Sequence, residues 1–367
     1  MARTTRLFEQ ADQPKLIELC RAASVDARIR LSVDRSPDFT LLDRLYGKGW
    51  DILIVEQDGD PVAFCDLVHL DLPYGQDVIP ATYGRLGGVR PDVQGKGAFR
   101  EMMPTAVSLI RERGSKMFYG LVNEKNRKIH RALKSKSLPA TQGLLNRNLL
   151  IHSILLIRRY VRSGQYTYRP AQADDLEDLA RLLSVHNQRY LFGPSWEPER
   201  LQQTIDRYPD FSIQDIMVAE DRAGHPVACM GFWDQSRARK IRVAGYRPLE
   251  YALSRAWNLL GPIARMPSMP KPGGELKMLF STFIGAEPQH FGALHGLLRH
   301  ACNEFRYKGY HFLLMAHFSD DSLGAAAEGL WKMTSINRFF ILSTRNEIHE
   351  ILGRESERIP FLDYALS

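Results

Sequence analysis

The apolar positions of this chain switch repeatedly between strand-like runs and the 3.6-residue spacing of amphipathic helices. Helical patterns cover Lys15 to Arg21 and Leu176 to Leu183. They follow Gln10-Ala11-Asp12 and Gln172-Ala173-Asp174, where Asp12 and Asp174 read as N-caps. A strand–turn–strand signal runs from Ile52–Glu56 through Asp58-Gly59 to Pro61–Cys65, and recurs from Ile216–Glu220 through Gly224 to Pro226–Met230. Next, Leu86–Val89 reads as a strand stopped by Pro91. Gln94-Gly95-Lys96-Gly97 reads as a turn, and a helix follows with Phe99, Met102, Met103, Ala106, Val107 and Ile110 on one face. Its counterpart is Gln289-His290-Phe291-Gly292 followed by Ala293 and Leu294. Gln94, Gly97 and Gly114 map to Gln289, Gly292 and Gly309 at a constant offset of 195, so the two helices have equal length. Strand-like Lys116–Val122 and His311–Ala316 come after them.

Landmarks repeated in one order imply duplication. The predicted fold is α/β, with two domains over 1–160 and 165–367 and a junction near Arg159 to Tyr166, where Ser163-Gly164 breaks the pattern. The second domain carries an insert at about 235–275: a helix-like Leu249 to Leu260, then Pro262, Pro267, Pro270, Pro272 and Gly273-Gly274. Such a loop serves as a lid, a docking loop or a cover over the join.

Composition alters this picture little. At 44% apolar and 25% charged residues, the 367-residue chain has ample core material for two domains. Leu149 to Ile157, interrupted by His152 and Ser153, is too short to span a bilayer. No apolar leader follows Met1, so a cytoplasmic protein without a membrane partner is expected. Cys20, Cys65, Cys229 and Cys302 have no metal-type or disulfide-framework spacing and read as reduced thiols, with no metal site.

Charge is uneven. Between Glu124 and Ser163 stand ten basic residues (Lys125, Arg127, Lys128, Arg131, Lys134, Lys136, Arg147, Arg158, Arg159, Arg162) and one acid, Glu124. This is a solvated face or an attractor for a polyanion, such as a nucleotide cofactor or RNA.

The turn at 94–97 carries the candidate chemistry. A helix N-terminus offers unpaired amides and a partial positive charge, glycines allow close approach of a phosphate, and Lys96 adds a cation. Neither the dinucleotide fingerprint nor the Walker A pattern is present. Val89-x-Pro91-x-x-Gln94-Gly95-Lys96-Gly97, between a strand and a helix, resembles the acyl-CoA-binding signature of the GNAT superfamily of N-acyltransferases. Asn123-x-x-Asn126 opening another helix agrees with that order of elements. The resemblance implies two tandem GNAT-like domains, each a mixed central β-sheet flanked by helices. It also implies acetyl-CoA or another acyl-CoA as cofactor. Gln94, Gly95, Lys96, Gly97, Ala98 and Phe99 would bind the pyrophosphate, Gly88 and Val89 would pair with the pantetheine arm, and Asn126 would contact the cofactor.

Departures are also visible. Phe99 stands at a position that is commonly Gly or Ala, Leu133 where many members have a proton-donating Tyr, and Arg85 near the place of a Glu. Tyr83, Asn123 and His130 are the remaining catalytic candidates, with Asn123 serving only to orient. In the second copy His290-Phe291 replaces Gly95-Lys96, and Phe318 and Asp321 replace Asn123 and Asn126, so weakened or lost cofactor binding is expected. The leading expectation is acetyl transfer from acetyl-CoA to a small-molecule or peptide amine by direct attack in a ternary complex. The alternatives are an aminoacyl-tRNA-dependent transferase, with nucleic acid bound through 124–163, and a non-catalytic CoA-binding regulatory protein.

Overall fold

A computed structural model describes residues 3–23, 29–133, 142–161, 164–261, 267–343 and 345–367. Lys134, Lys136, Arg162, Ser163 and Pro262, and the side chains of Lys128 and Leu133, lie outside the described residues. The elements begin with β1 (Arg3–Leu7), α1 (Gln13–Ala22), β2 (Ile29–Asp34), α2 (Leu41–Tyr46), β3 (Gly49–Gln57) and β4 (Asp60–Tyr74). They continue with β5 (Asp77–Val89), α3 (Ala98–Glu112), β6 (Met117–Asn123), α4 (Arg127–Leu133) and β7 (Gln142–Leu155). Next come β8 (Thr167–Pro170), α5 (Leu176–Asn187), β9 (Tyr190–Leu191), α6 (Pro198–Arg207), β10 (Ile216–Glu220) and β11 (Pro226–Asp234). The chain closes with β12 (Lys240–Tyr246), α7 (Pro248–Leu260), β13 (Met278–Ala286), α8 (Ala293–Phe305), β14 (Phe312–Phe318), β15 (Lys332–Ser343), α9 (Asn346–Arg354) and β16 (Ile359–Pro360).

The chain divides into two compact units, but not at a single point. One comprises 1–149 with 336–357, the other 150–335 with 358–367. Arg159 to Tyr166, where the sequence pattern breaks, therefore lies inside the second unit, and a late segment belongs to the first.

In the first unit the strand order is β1-β3-β4-β5-β6-β15-β7. Both faces are covered, which is why Ile52-Leu53-Ile54-Val55 is apolar throughout rather than alternating. Leu53 and Val55 pack with Ala98, Met102, Ala106 and Leu109 of α3. Ile52 and Ile54 pack with Leu16, Ile17, Leu19 and Cys20 of α1. Pro104 lies within α3, which runs on through it. Strand β15 closes the far side of β6, with Asn337–Leu342 antiparallel to Asn123–Phe118.

In the second unit the order is β7-β14-β13-β11-β10-β8. Leu294, Leu297, Leu298, Ala301 and Cys302 of α8 cover Met217, Ala219, Ala228, Met230 and Phe232.

The repeat extends to individual ion pairs. Arg6 forks onto Asp12 (2.7 and 2.8 Å) and reaches Glu56 at 3.0 Å. Arg169 forks onto Asp175 (2.6 and 2.8 Å) and reaches Glu220 at 2.7 Å. Asp12 and Asp175 also accept the backbone N–H of Glu9 and Gln172. The equivalent of Asp12 is thus Asp175, not Asp174, and Asp175 is the N-cap of α5. The sequence match of Gln-Ala-Asp was one residue out of register, because an ion pair formed across the sheet fixes the alignment and a tripeptide does not.

The four cysteines are free. Burial pushes the thiols of Cys20, Cys229 and Cys302 up to about 12, so they serve as packing residues.

Candidate active site

The site begins with a fork in the first sheet. Strand β5 runs antiparallel to β4 along its whole length, but parallel to β6 only from Ala81↔Met117 to Gly84↔Gly120. The β4 register slips by one between Asp66↔Leu86 and Leu67↔Gly84, which leaves Arg85 as a bulge at the point of parting. Past it, Leu86 to Val89 stay on β4 with no strand partner on the β6 side among the described residues. The last shared rung is tight: a Cβ on Gly120 would sit 3.1 Å from the Gly84 carbonyl oxygen.

The free end of β5 leads through the 3-10 turn Pro91–Val93 to Gly95 (φ 80°) and Gly97 (φ 89°). Both glycines occupy the left-handed region, which costs other residues about 1 kcal/mol or more. Gly97 is the N-cap of α3 and has no side chain with which to cap it. The amides of Ala98, Phe99 and Arg100 therefore have no intrahelical acceptor. Arg3 donates to the Lys96 carbonyl at 2.9 Å and pairs with Glu101 at 3.2 Å, which ties the loop to β1. Gln94 Nε2 donates to the Val89 carbonyl at 3.2 Å, so that side chain pins the turn and occupies the carbonyl of Val89. Ala98 is buried and Phe99 packs on the α3 core, whereas Lys96 is exposed. Gly88 is buried under Phe64, whose ring a Cβ there would meet at 2.4 Å.

The catalytic candidates separate into two groups. Asn123, Asn126 and His130 share one network. His130 Nε2 lies 3.1 Å from the Asn123 carbonyl, and Asn126 Oδ1 accepts Ile129 N–H at 3.3 Å, capping α4. Asn123 Nδ2 donates to Asn337 of β15 at 3.2 Å. Tyr83 lies four rungs back along the strands, 1% exposed, stacked on Tyr119 at 5.0 Å and edge-on to Tyr46 at 5.5 Å. Burial, then the neighbouring Tyr46 and Tyr83 phenols, push the Tyr119 hydroxyl well above its ordinary pKa.

Sequence reading missed the charges beside this cluster. Arg85 pairs with Asp43. Arg35 pairs with Asp43 at 3.1 Å and with Asp66 at 3.2 Å, and all four side chains are at most 2% exposed. Burial and the Asp43 charge raise Asp66 well above the carboxylate range. Against the cost of burial, Arg35 and Arg85 hold Asp43 below it. Arg85 Nη2 and Asp66 Oδ1 have no hydrogen-bond partner. An aspartate inside the apolar run Val62–Val68 was the available signal.

The second unit repeats the fork without the cradle. β13 pairs with β14 only from Met278↔Phe312 to Phe280↔Leu314, and its register on β11 slips beside Phe283, where φ is 46°. Here, however, Phe291 and Gly292 are both right-handed helical, so the 3-10 turn Pro288–His290 leads into α8 without a loop. Phe291 is stacked on His186 and lies under Arg189, 4.8 Å from its ring. Asp321 fixes that arginine at 2.7 Å and accepts from Tyr190 at 2.7 Å. It also caps its own helical turn through Leu323 N–H, as Asn126 caps α4.

A histidine pair is buried in the same unit. His317 Nδ1 donates to the Phe318 carbonyl at 2.7 Å, which leaves its Nε2 to accept from His152 Nε2 at 2.9 Å. Thr334 then donates to His152 Nδ1 at 2.8 Å. Burial, then His317 and Lys332, lower the His152 pKa to about 4. The unfolded chain binds this proton near pH 6.5, so acidification from about 6.5 to 4 favours unfolding. Thermal midpoints recorded across that window will fall more steeply for the wild type than for His152→Gln. Parallel curves would remove His152 as a cause.

The sequence matches no protein-family model and no curated protein. Solved structures do match. A GCN5-related N-acetyltransferase from Sphaerobacter thermophilus is 12% identical, with a TM-score of 0.58 over 93% of this chain and 94% of that one. Saccharomyces cerevisiae N-myristoyltransferase, solved with bound myristoyl-CoA, is 10% identical, with a TM-score of 0.62 over 94% and 80%. A tandem GNAT protein from the clavulanic acid biosynthesis pathway is 12% identical, with a TM-score of 0.56 over 93% and 98%. The chain folds as two tandem GNAT-like domains.

Proposed function

We propose that this chain is an acyl-CoA-dependent N-acyltransferase whose first unit binds the cofactor and transfers its acyl group, in the simplest case acetyl, to an amine. One observation carries the reading: a parted strand pair ends in a left-handed glycine turn that presents uncapped helix amides. The amides of Ala98, Phe99 and Arg100, with Lys96 beside them, suit a pyrophosphate. The open edge of β5 at Leu86 to Gly88 suits the pantetheine arm, which pairs as an added strand would. Bound acyl-CoA would supply the thioester. The chain's part is to hold the acceptor amine in line and to move its proton. His130, partly exposed and bonded to the Asn123 carbonyl, is the proposed proton carrier. Asn123 orients it, and Tyr83 is the phenol beside the fork. The helical turn of the second unit, with Phe291 under Arg189, supports a structural role there.

The test is thermal stabilisation by CoA, acetyl-CoA and longer acyl-CoAs. A ligand at a hundred times its Kd adds about 2.7 kcal/mol to the native state. Gly97→Trp puts a side chain where the left-handed backbone and the phosphate both exclude it, and should abolish the shift. No shift in the wild type with any of them would sink the reading. A full shift in Gly97→Trp would move the site elsewhere.

A further inference from the structure

Helix α7 presents its apolar side to solvent. Leu249, Leu253 and Leu259 are 66%, 59% and 77% exposed, and Ala252 and Ala256 between them are exposed too. At about 100° per residue these five fall within roughly 120° of the helix circumference. The opposite side ties the helix down. Ser254 is buried, Trp257 donates to the Pro267 carbonyl at 2.9 Å, and Asn258 bonds both ways with Met269 at 2.9 and 2.7 Å. The proline-rich loop is therefore a seat for α7, and the stripe points directly away from it.

Around the stripe the sequence is basic. From Arg237 to Lys277 there are nine Lys and Arg residues against Glu250 and Glu275, a net +7 that equals the formal charge of the whole chain. Arg255 flanks the stripe and Lys271 follows the seat; both are exposed.

We propose that α7 is an interfacial helix that lays its leucine stripe into an anionic lipid surface. The apolar face supplies burial and the surrounding cations supply attraction, as in helices that lie on a membrane without crossing it. Among the described residues no helix is long and apolar enough to cross one. A second copy fits less well. A two-fold contact would bring two basic segments together, and one helix stripe offers roughly a few hundred Å² against about 800 Å² per partner in a standard interface. A protein partner would need a pocket for anchor residues, and a single convex helix provides none.

Co-sedimentation of the full chain with phosphatidylcholine vesicles, with and without an equal part of phosphatidylglycerol, tests this. Binding should require the anionic lipid and weaken with salt. Leu249→Glu with Leu253→Glu and Leu259→Glu should lower it by about 100-fold or more. Arg255→Glu with Lys271→Glu should lower it by about tenfold or more. All five positions are exposed, so both variants should keep the wild-type thermal midpoint. No binding to anionic vesicles, or unchanged binding by the leucine variant, would overturn the proposal. So would a wild-type dimer that the leucine variant converts to a monomer, which would assign the stripe to a second copy.

Discussion

A fragment ending at residue 160 will not fold, although it contains the entire glycine turn and α3. It lacks Asn337–Leu342, the strand that pairs with β6, and α9 behind it. Phe339, Ile341, Leu342, Ile348 and Leu352 are all buried there. At about 1.5–3 kcal/mol each, their loss is on the order of 10 kcal/mol, the whole net stability of a typical domain. The strand Met117–Val122 would also become an exposed apolar edge prone to association. Fusing 336–357 to the fragment through a flexible linker should restore a soluble, cooperatively unfolding protein by circular dichroism. If 1–160 alone melts cooperatively as a monomer, β15 is not integral to that unit.

Asp43→Ala should be the most destabilising single change in the first unit. It leaves two buried guanidiniums, Arg35 and Arg85, with only the Asp66 carboxyl beside them. Breaking a buried ion pair from one side costs about 3–5 kcal/mol, whereas replacing the pair with apolar residues can be nearly neutral. Urea unfolding of Asp43→Ala, Arg85→Met and the double variant gives the coupling. We expect Asp43→Ala with Arg85→Met to be more stable than Asp43→Ala alone. A loss under about 0.5 kcal/mol in Asp43→Ala would mean that the cluster is solvated and does not hold the bulge.

The glycine turn was legible because its signal is local. Gly95 and Gly97 are needed for positive φ, and strand, turn and helix follow one another without interruption. The constant offset of 195 correctly aligned Gly114 with Gly309, both at positive φ, but not the helix lengths, because Ala98–Glu112 has 15 residues and Ala293–Phe305 has 13. Other features depended on partners distant in the chain. Nothing in Lys332–Ser343 tells which strand it pairs with, because the backbone ladder that joins it to Met117–Asn123 is the same for any sequence. Asp66 stands out only as an acid within an apolar run, and Asp43 looks unremarkable until Arg35 and Arg85 are seen beside it. His290-Phe291 indicated a changed turn, but not that Gly292 had become helical.

The late strand also dictates an order of events during synthesis. Strand β6 leaves the ribosome well before its neighbour, since residues 150–335 intervene and belong to the other unit. At about 5–20 residues per second that interval is roughly 10–40 s. For that time the nascent chain carries a nearly finished first unit with one open apolar edge, and the second unit gains its own last residues, 358–367, only after the first has been closed. The first unit is therefore closed only after 150–335 has been made, and a ribosome stalled before residue 336 leaves it open.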